Sequence, residues 1–207
     1  MAIVPAQEAL QRLRVGNARF VANELEYDDI AEAQKRSKLA DGQDPFAIIL
    51  GCADSRVPVE LIFDQGLGNL FVIRVAGNVV APSGVGSVEF AAVEFGVQLV
   101  VVLGHSNCGA IQATIDAVNQ PDSEHSHNIE AIVSRIRPAV EPLISPESLG
   151  DRDALVRQAV WANVHRSVEQ LRHGSELIEN LEQQGKLKIV GAKYSLSSGD
   201  VEFIDNV

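Results

Sequence analysis

Phe46-Ala47-Ile48-Ile49-Leu50 is an unbroken apolar run between Pro45 and Gly51, and Leu99-Val100-Val101-Val102-Leu103 is another, closed by Gly104. A strand with one wet face alternates polar and apolar residues, whereas a strand covered on both faces has no reason to. Runs of this kind demand a sheet with cover on each side. Leu70-Phe71-Val72-Ile73 and residues 187–190 repeat the pattern. Between and after the runs, residues 85–95 (ended by Gly96), 109–119, 128–140 and 152–184 carry helical spacing. Buried strands alternating with helices predict an α/β fold: a central, mostly parallel sheet of about four strands, flanked by helices. Residues 193–204, with Ser198-Gly199-Asp200 in the middle, read as a hairpin that adds an antiparallel edge strand. Residues 5–23 read as an amphipathic helix opened by Pro5, with Leu10, Leu13, Phe20 and Val21 on one side. The charged residues 24–45 after it are suited to lying on another surface. The expected organisation is a single domain over 1–207, an extended N-terminal helical arm (1–45) on an α/β core (46–207).

The first and third runs end on the chain's two cysteines. Gly51-Cys52-Ala53-Asp54-Ser55-Arg56 follows one and Gly104-His105-Ser106-Asn107-Cys108-Gly109 follows the other. Two thiolates and an imidazole form a donor set that zinc prefers, and three protein ligands leave a tetrahedral ion one open position, the mark of a catalytic site. In open parallel sheets ligands bind beyond the carboxyl ends of strands, so loops from two strands can bring Cys52, His105 and Cys108 to one ion. A lone cysteine at a strand end is more often a small core residue. The His-x-x-Cys partner reverses that reading and argues against a disulfide. Asp54 and Arg56 are close enough to pair, the guanidinium keeping the carboxylate ionised and gripping it off the metal. Released from Arg56, Asp54 becomes a candidate fourth ligand. Glycines 51, 104 and 109 read as letting backbone approach the ion. With 17 basic against 28 acidic residues and a net charge of −11, the chain lacks the basic face that nucleic acid or an anionic membrane requires. No charged leader precedes an apolar run and no stretch approaches the ~20 apolar residues of a span, so a cytoplasmic location is expected.

The Cys-x-Asp-x-Arg and His-x-x-Cys runs resemble the beta-class carbonic anhydrases. The likeness extends to Leu13-Arg14-Val15-Gly16-Asn17-Ala18-Arg19-Phe20, to Phe71-Val72-Ile73-Arg74-Val75-Ala76-Gly77-Asn78 and to Ile189-Val190-Gly191-Ala192. The resemblance implies one zinc per subunit on Cys52, His105 and Cys108, with Asp54 and Arg56 as catalytic partners. It implies reversible hydration of CO2 to bicarbonate and a proton, by attack of zinc-bound hydroxide, in a homodimer or higher homo-oligomer such as a tetramer. In such enzymes the pocket is lined partly by the neighbouring subunit. Gln43 falls where plant-type members carry an amide donor to substrate, Phe71 and Phe90 where aromatics surround the CO2 pocket, and Gly109 adjoins the ligands. Ile49 stands where a subset carries a Trp that forms a non-catalytic bicarbonate site, so that site is not expected here although Arg74 is present. A carbonyl sulfide or carbon disulfide hydrolase on the same fold is the near alternative. A non-catalytic zinc or bicarbonate-binding module, closed by Asp54, is the distant one. His125 and His127 fall in a polar loop where they could ferry protons, whereas His165 and His173 read as surface residues. Proton export is expected to rely on water and buffer.

Overall fold

The computed structural model describes residues 3–26, 33–120 and 126–204. Its centre is a five-stranded sheet in the order β2-β1-β3-β4-β5. The strands are β1 (Ala47–Gly51), β2 (Leu70–Arg74), β3 (Leu99–His105), β4 (Lys188–Tyr194) and β5 (Val201–Ile204). The first four run parallel and β5 pairs antiparallel with β4, as the apolar runs and the 193–204 hairpin predict.

Both faces are covered. Ala47 and Ile49 of β1, with Val101, Leu103 and Val190, pack on α1 (Ala6–Ala22) and α3 (Val59–Ile62). Ile48 and Leu50, with Val100, Val102 and Ile189, face α4 (Pro82–Glu94), α8 (Arg152–His173) and α9 (Glu176–Gln183). Successive side chains of a strand point to opposite faces, so a run with no polar gaps fills both layers. A third apolar cluster closes the carboxyl end of the sheet. There α5 (Gly109–Asn119) and α6 (His127–Val140) pack on the first half of α8 around Cys52 and Cys108. Two short helices complete the set, α2 (Ala33–Leu39) and α7 (Pro146–Gly150).

Two expectations change. The run at Leu70–Ile73 reads as a strand covered on both faces, yet β2 is only half-buried. The strand order leaves β2 at the edge, bonded only to β1, and Phe71 packs there with Phe90 and Phe95. The helix expected over 152–184 is two helices. Gly174 follows α8, and the Ser175 hydroxyl accepts the Ile178 N–H to start α9, the N-cap role that serine fills well. The expected N-terminal helix is present as α1, and Ala9, Leu10 and Leu13 are fully buried in the same cluster as β1 and β3. Buried Asn17 fixes it further. Its amide donates to the carbonyls of Ile62 (3.1 Å) and Gly199 (2.9 Å), and its oxygen accepts from Val201 N–H (2.8 Å). Residues 27–32, within the polar stretch 24–45 expected to lie on another surface, are outside the described residues.

Candidate metal centre

Cys52 leaves β1 one residue past its end, and His105 is the last residue of β3, the strand beside it. Asn107 then takes the left-handed conformation (φ 53°), which asparagine tolerates better than most residues, and the turn returns Cys108 to the side of His105. The two sulfurs and one imidazole nitrogen lie within 4.8 Å of one another, all on buried residues. Donors around a tetrahedral zinc sit about 3.5–3.8 Å apart by its bond lengths, so the three close onto an ion by moving about 1 Å at most. His105 is fully buried, and its Nδ1–H donates to the Ser106 carbonyl at 2.9 Å. Its Nε2 has no hydrogen-bond partner among the described residues. An unpartnered buried nitrogen beside two sulfurs is costly in the bare chain and satisfied by a cation, so the residues present fit zinc through Nε2.

The electrostatics agree. The Cys52 thiol is pushed down to about 4, first by the hydrogen bond from Cys108, with His105 and the backbone of Asp54 and Gly77 helping and burial opposing. Cys108 is pushed up, because it gives that hydrogen bond and is buried. In the metal-free chain the two sulfurs thus share one proton, which a divalent cation displaces. Asp54 is gripped in a bidentate pair: Arg56 Nε to Oδ1 at 2.9 Å and Nη2 to Oδ2 at 2.7 Å, with Arg56 N–H also on Oδ1. That guanidinium holds the Asp54 carboxyl well below the usual carboxylate range. Asp54 Oδ2 remains 3.8 Å from His105 Nε2, beside the cluster.

Comparison with known proteins agrees with this geometry. Residues 47–201 match the family described as carbonic anhydrase. Carbonic anhydrase 2 of Mycobacterium tuberculosis is 39% identical over 201 residues, covering 96% of this chain and 93% of that protein. The chain belongs to the beta class of carbonic anhydrases. Among solved structures, the beta-carbonic anhydrase CcaA superposes with a TM-score of 0.73 at 26% identity, covering 95% of both chains. At 21% identity, one of two tetrameric beta-carbonic anhydrases from Sordaria macrospora shares the fold (TM-score 0.72), covering 93% of this chain and 94% of that one.

Of the remaining candidates of a beta-class site, Gln43, Phe71 and Phe90 are not gathered around this chain's own cluster, whereas Gly109 adjoins it. Gln43 precedes the amino end of β1, whereas Cys52 follows its carboxyl end. Phe71 is in register with Ile48, four residues before Cys52. Phe90 is on the outer side of α4 and 52% exposed, with its ring 6.3 Å from that of Phe71. Gly109 opens α5 beside Cys108, and a Cβ there would meet nothing within 4 Å. Gly104 has a different reason from the one read in the sequence: a Cβ would come within 2.6 Å of Val164 Cγ2, so this glycine admits α8 rather than the ion. His127 starts α6 on the surface, His165 and His173 are exposed, and His125 lies outside the described residues.

Two contributors escape sequence reasoning. Arg74 donates from Nε to the Cys52 carbonyl (3.0 Å) and from Nη2 to the Asp54 carbonyl (2.5 Å), bracing the loop that carries both residues. Gly77, in the 3-10 turn Ala76–Asn78, donates its N–H to Cys52 Sγ at 3.3 Å. Both lie in the run from Phe71 to Asn78 that carries the family likeness, but that run does not say that Arg74 braces the loop or that Gly77 reaches the sulfur.

Proposed function

We propose that this chain hydrates CO2 reversibly to bicarbonate and a proton, with one zinc per subunit on Cys52 Sγ, His105 Nε2 and Cys108 Sγ. The observation that carries the proposal is the orphaned His105 Nε2 facing two sulfurs, with an Arg-held carboxylate beside them. Zinc, when bound, would supply the Lewis acidity that makes hydroxide available far below the pKa of free water. The rest is the work of side chains. Ser106 fixes the imidazole so that Nε2 presents its lone pair to the cluster. Arg56 occupies both oxygens of Asp54, which keeps the carboxylate ionised and off the ion. Asp54 Oδ2 then accepts the O–H of the nucleophile and turns its lone pair outward toward CO2. This arrangement favours a catalytic centre over a closed, non-catalytic one. Gly109 leaves the approach beside Cys108 clear.

A second copy of the chain completes the pocket in this reading. Its Gln43 amide donates to the charge that develops on a CO2 oxygen, and its Phe71 and Phe90 supply the apolar wall. Support comes from the exposed aromatic face of α4 and from the position of Gln43 at the wrong end of β1 for its own cluster. The assembly is a homodimer at least, and the tetrameric Sordaria macrospora relatives make a tetramer the natural extension. Both cysteines are free, and metal-binding thiols keep best in a reducing compartment such as the cytoplasm. Among the described residues no helix is long and apolar enough to cross a membrane.

Asp54→Ala tests the core of the proposal. The variant is expected to retain zinc by elemental analysis and to lose CO2 hydration by about 100-fold or more in stopped flow. Undiminished turnover with metal retained removes Asp54 from the mechanism.

A further inference from the structure

Asn163 and Ser167 are one turn apart on α8 and both are buried, at 2% exposure, on the helix face that also carries Val160, Val164 and Val168. Their polar atoms reach one short piece of backbone. Asn163 Nδ2 donates to the Gly77 carbonyl at 2.8 Å, and Ser167 Oγ donates to the Asn78 carbonyl at 3.2 Å. That turn needs holding, because Gly77 (φ 67°, ψ 21°) and Asn78 (φ 45°) are both left-handed. Space constrains it as well, since a Cβ on Gly77 would come within 2.6 Å of Ile136 Cδ1. The dihedral angles of Gly77 decide where its N–H points, and that N–H lies on Cys52 Sγ. Asn163 pins the peptide plane on the carbonyl side of Gly77 and Ser167 pins the next one.

An N–H donated to a metal-binding thiolate draws electron density from sulfur, so less negative charge reaches the ion. Groups outside the ligand sphere set metal affinity and activity in this way. We propose that Asn163, backed by Ser167, is a positioning residue for the metal centre. It holds the Gly77 N–H on Cys52 Sγ and so sets how much charge that sulfur gives the metal. Asn163 touches neither metal nor substrate. The inference rests on the reading of Cys52, His105 and Cys108 as a metal centre.

The test is cobalt substitution of the full-length protein, read as the near-ultraviolet thiolate-to-cobalt charge-transfer band. Asn163→Leu keeps the branched heavy-atom shape, with bulkier methyls in place of the amide, and removes the donor, and Ser167→Ala is the milder change. An electron-rich thiolate is easier to oxidise, so both variants are expected to move the band to lower energy, Ser167→Ala by less. The zinc form of Asn163→Leu is expected to lose kcat by about tenfold with KM unchanged. A lower thermal midpoint with the band and kcat unmoved makes Asn163 merely structural and overturns the proposal. Should Asn163→Leu fail to fold, an unmoved band in Ser167→Ala overturns it alone. Wild-type protein that takes up cobalt without any thiolate band sinks the underlying metal-centre reading instead, which keeps the two failures distinct.

Discussion

If a second chain completes each pocket, Asp54→Ala damages the site of the chain that carries it and Gln43→Ala damages the site of that chain's partner. The geometry makes this sharp. β1 has five residues and spans about 16 Å at ~3.3 Å per residue, with Gln43 before its start and Cys52 past its end. No glutamine side chain covers that distance, so Gln43 cannot serve its own chain's cluster. Each variant alone is therefore impaired in both sites of its dimer, Asp54→Ala at the nucleophile and Gln43→Ala at the substrate oxygen. In a dimer with one chain of each kind, one site receives both defects and the other receives neither. Random reassembly from equal amounts makes half the dimers mixed, so about a quarter of all sites are whole in a two-fold symmetric assembly. The assay is stopped-flow CO2 hydration on the two variants unfolded together and refolded, against the same variants mixed without unfolding. The co-refolded sample is expected to exceed the mean of the parents by roughly 25% of wild-type activity when both parents are nearly inactive, and by less as their residual rates rise. If Gln43 acted within its own chain, every site would carry one defect. Activity no higher than the mean of the two parents would therefore refute the two-chain pocket.

Gly77→Ala adds about 1–2 kcal/mol of left-handed strain and about 1–3 kcal/mol of overpacking against Ile136. Ile136→Val removes the clashing Cδ1, so the double variant should melt higher than the sum of the single losses allows; strictly additive midpoints at matched protein concentration contradict the contact. Asn17→Ala leaves Ile62 O, Gly199 O and Val201 N–H without their partner and should cost at least about 2 kcal/mol in urea unfolding. A loss under about 0.5 kcal/mol would mean water replaces the side chain at no cost. A centre with two thiolates and a neutral imidazole has formal charge zero, against +2 at the three-histidine carbonic anhydrase site, where bound water has a pKa of about 7. Water here is acidified less, so CO2 hydration should climb from about pH 6 to 9, and a flat profile speaks against this donor set. Asp54 does not produce that rise. Its pKa is depressed in the folded chain, so its pairing is complete above the ordinary carboxylate range and is lost only as pH falls through the lower folded value.

The three metal ligands were legible because each sits where the sequence changes character, at the end of an apolar run, and two share one turn. The strands and their mostly parallel run followed from the same apolar stretches, but their order did not. What stayed hidden depends on which elements meet. Gly104 is a glycine because Val164, sixty positions later, needs the space. β2 is half-buried because the order places it at the edge, which its composition does not reveal. The first helix was legible from its apolar stripe, but a stripe does not say whose surface it covers, and Leu10 and Leu13 lie against their own sheet.

Asn163 is the instructive miss. Along α8, residues Val156, Ala159, Val160, Val164, Val168 and Leu171 form a buried stripe, and Asn163 and Ser167 interrupt it. A polar side chain on such a stripe must find a partner, because an unsatisfied buried amide costs about 1–3 kcal/mol. The interruption could therefore have been flagged from sequence as a bond awaiting an acceptor. Which carbonyl accepts it could not, since Gly77 is 86 positions away and becomes a neighbour only when α8 crosses the carboxyl end of the sheet. The same crossing places Asn163 one peptide away from a metal-binding sulfur. Motifs at the strand ends choose the metal in this fold, and a helix far downstream holds the backbone that adjusts it.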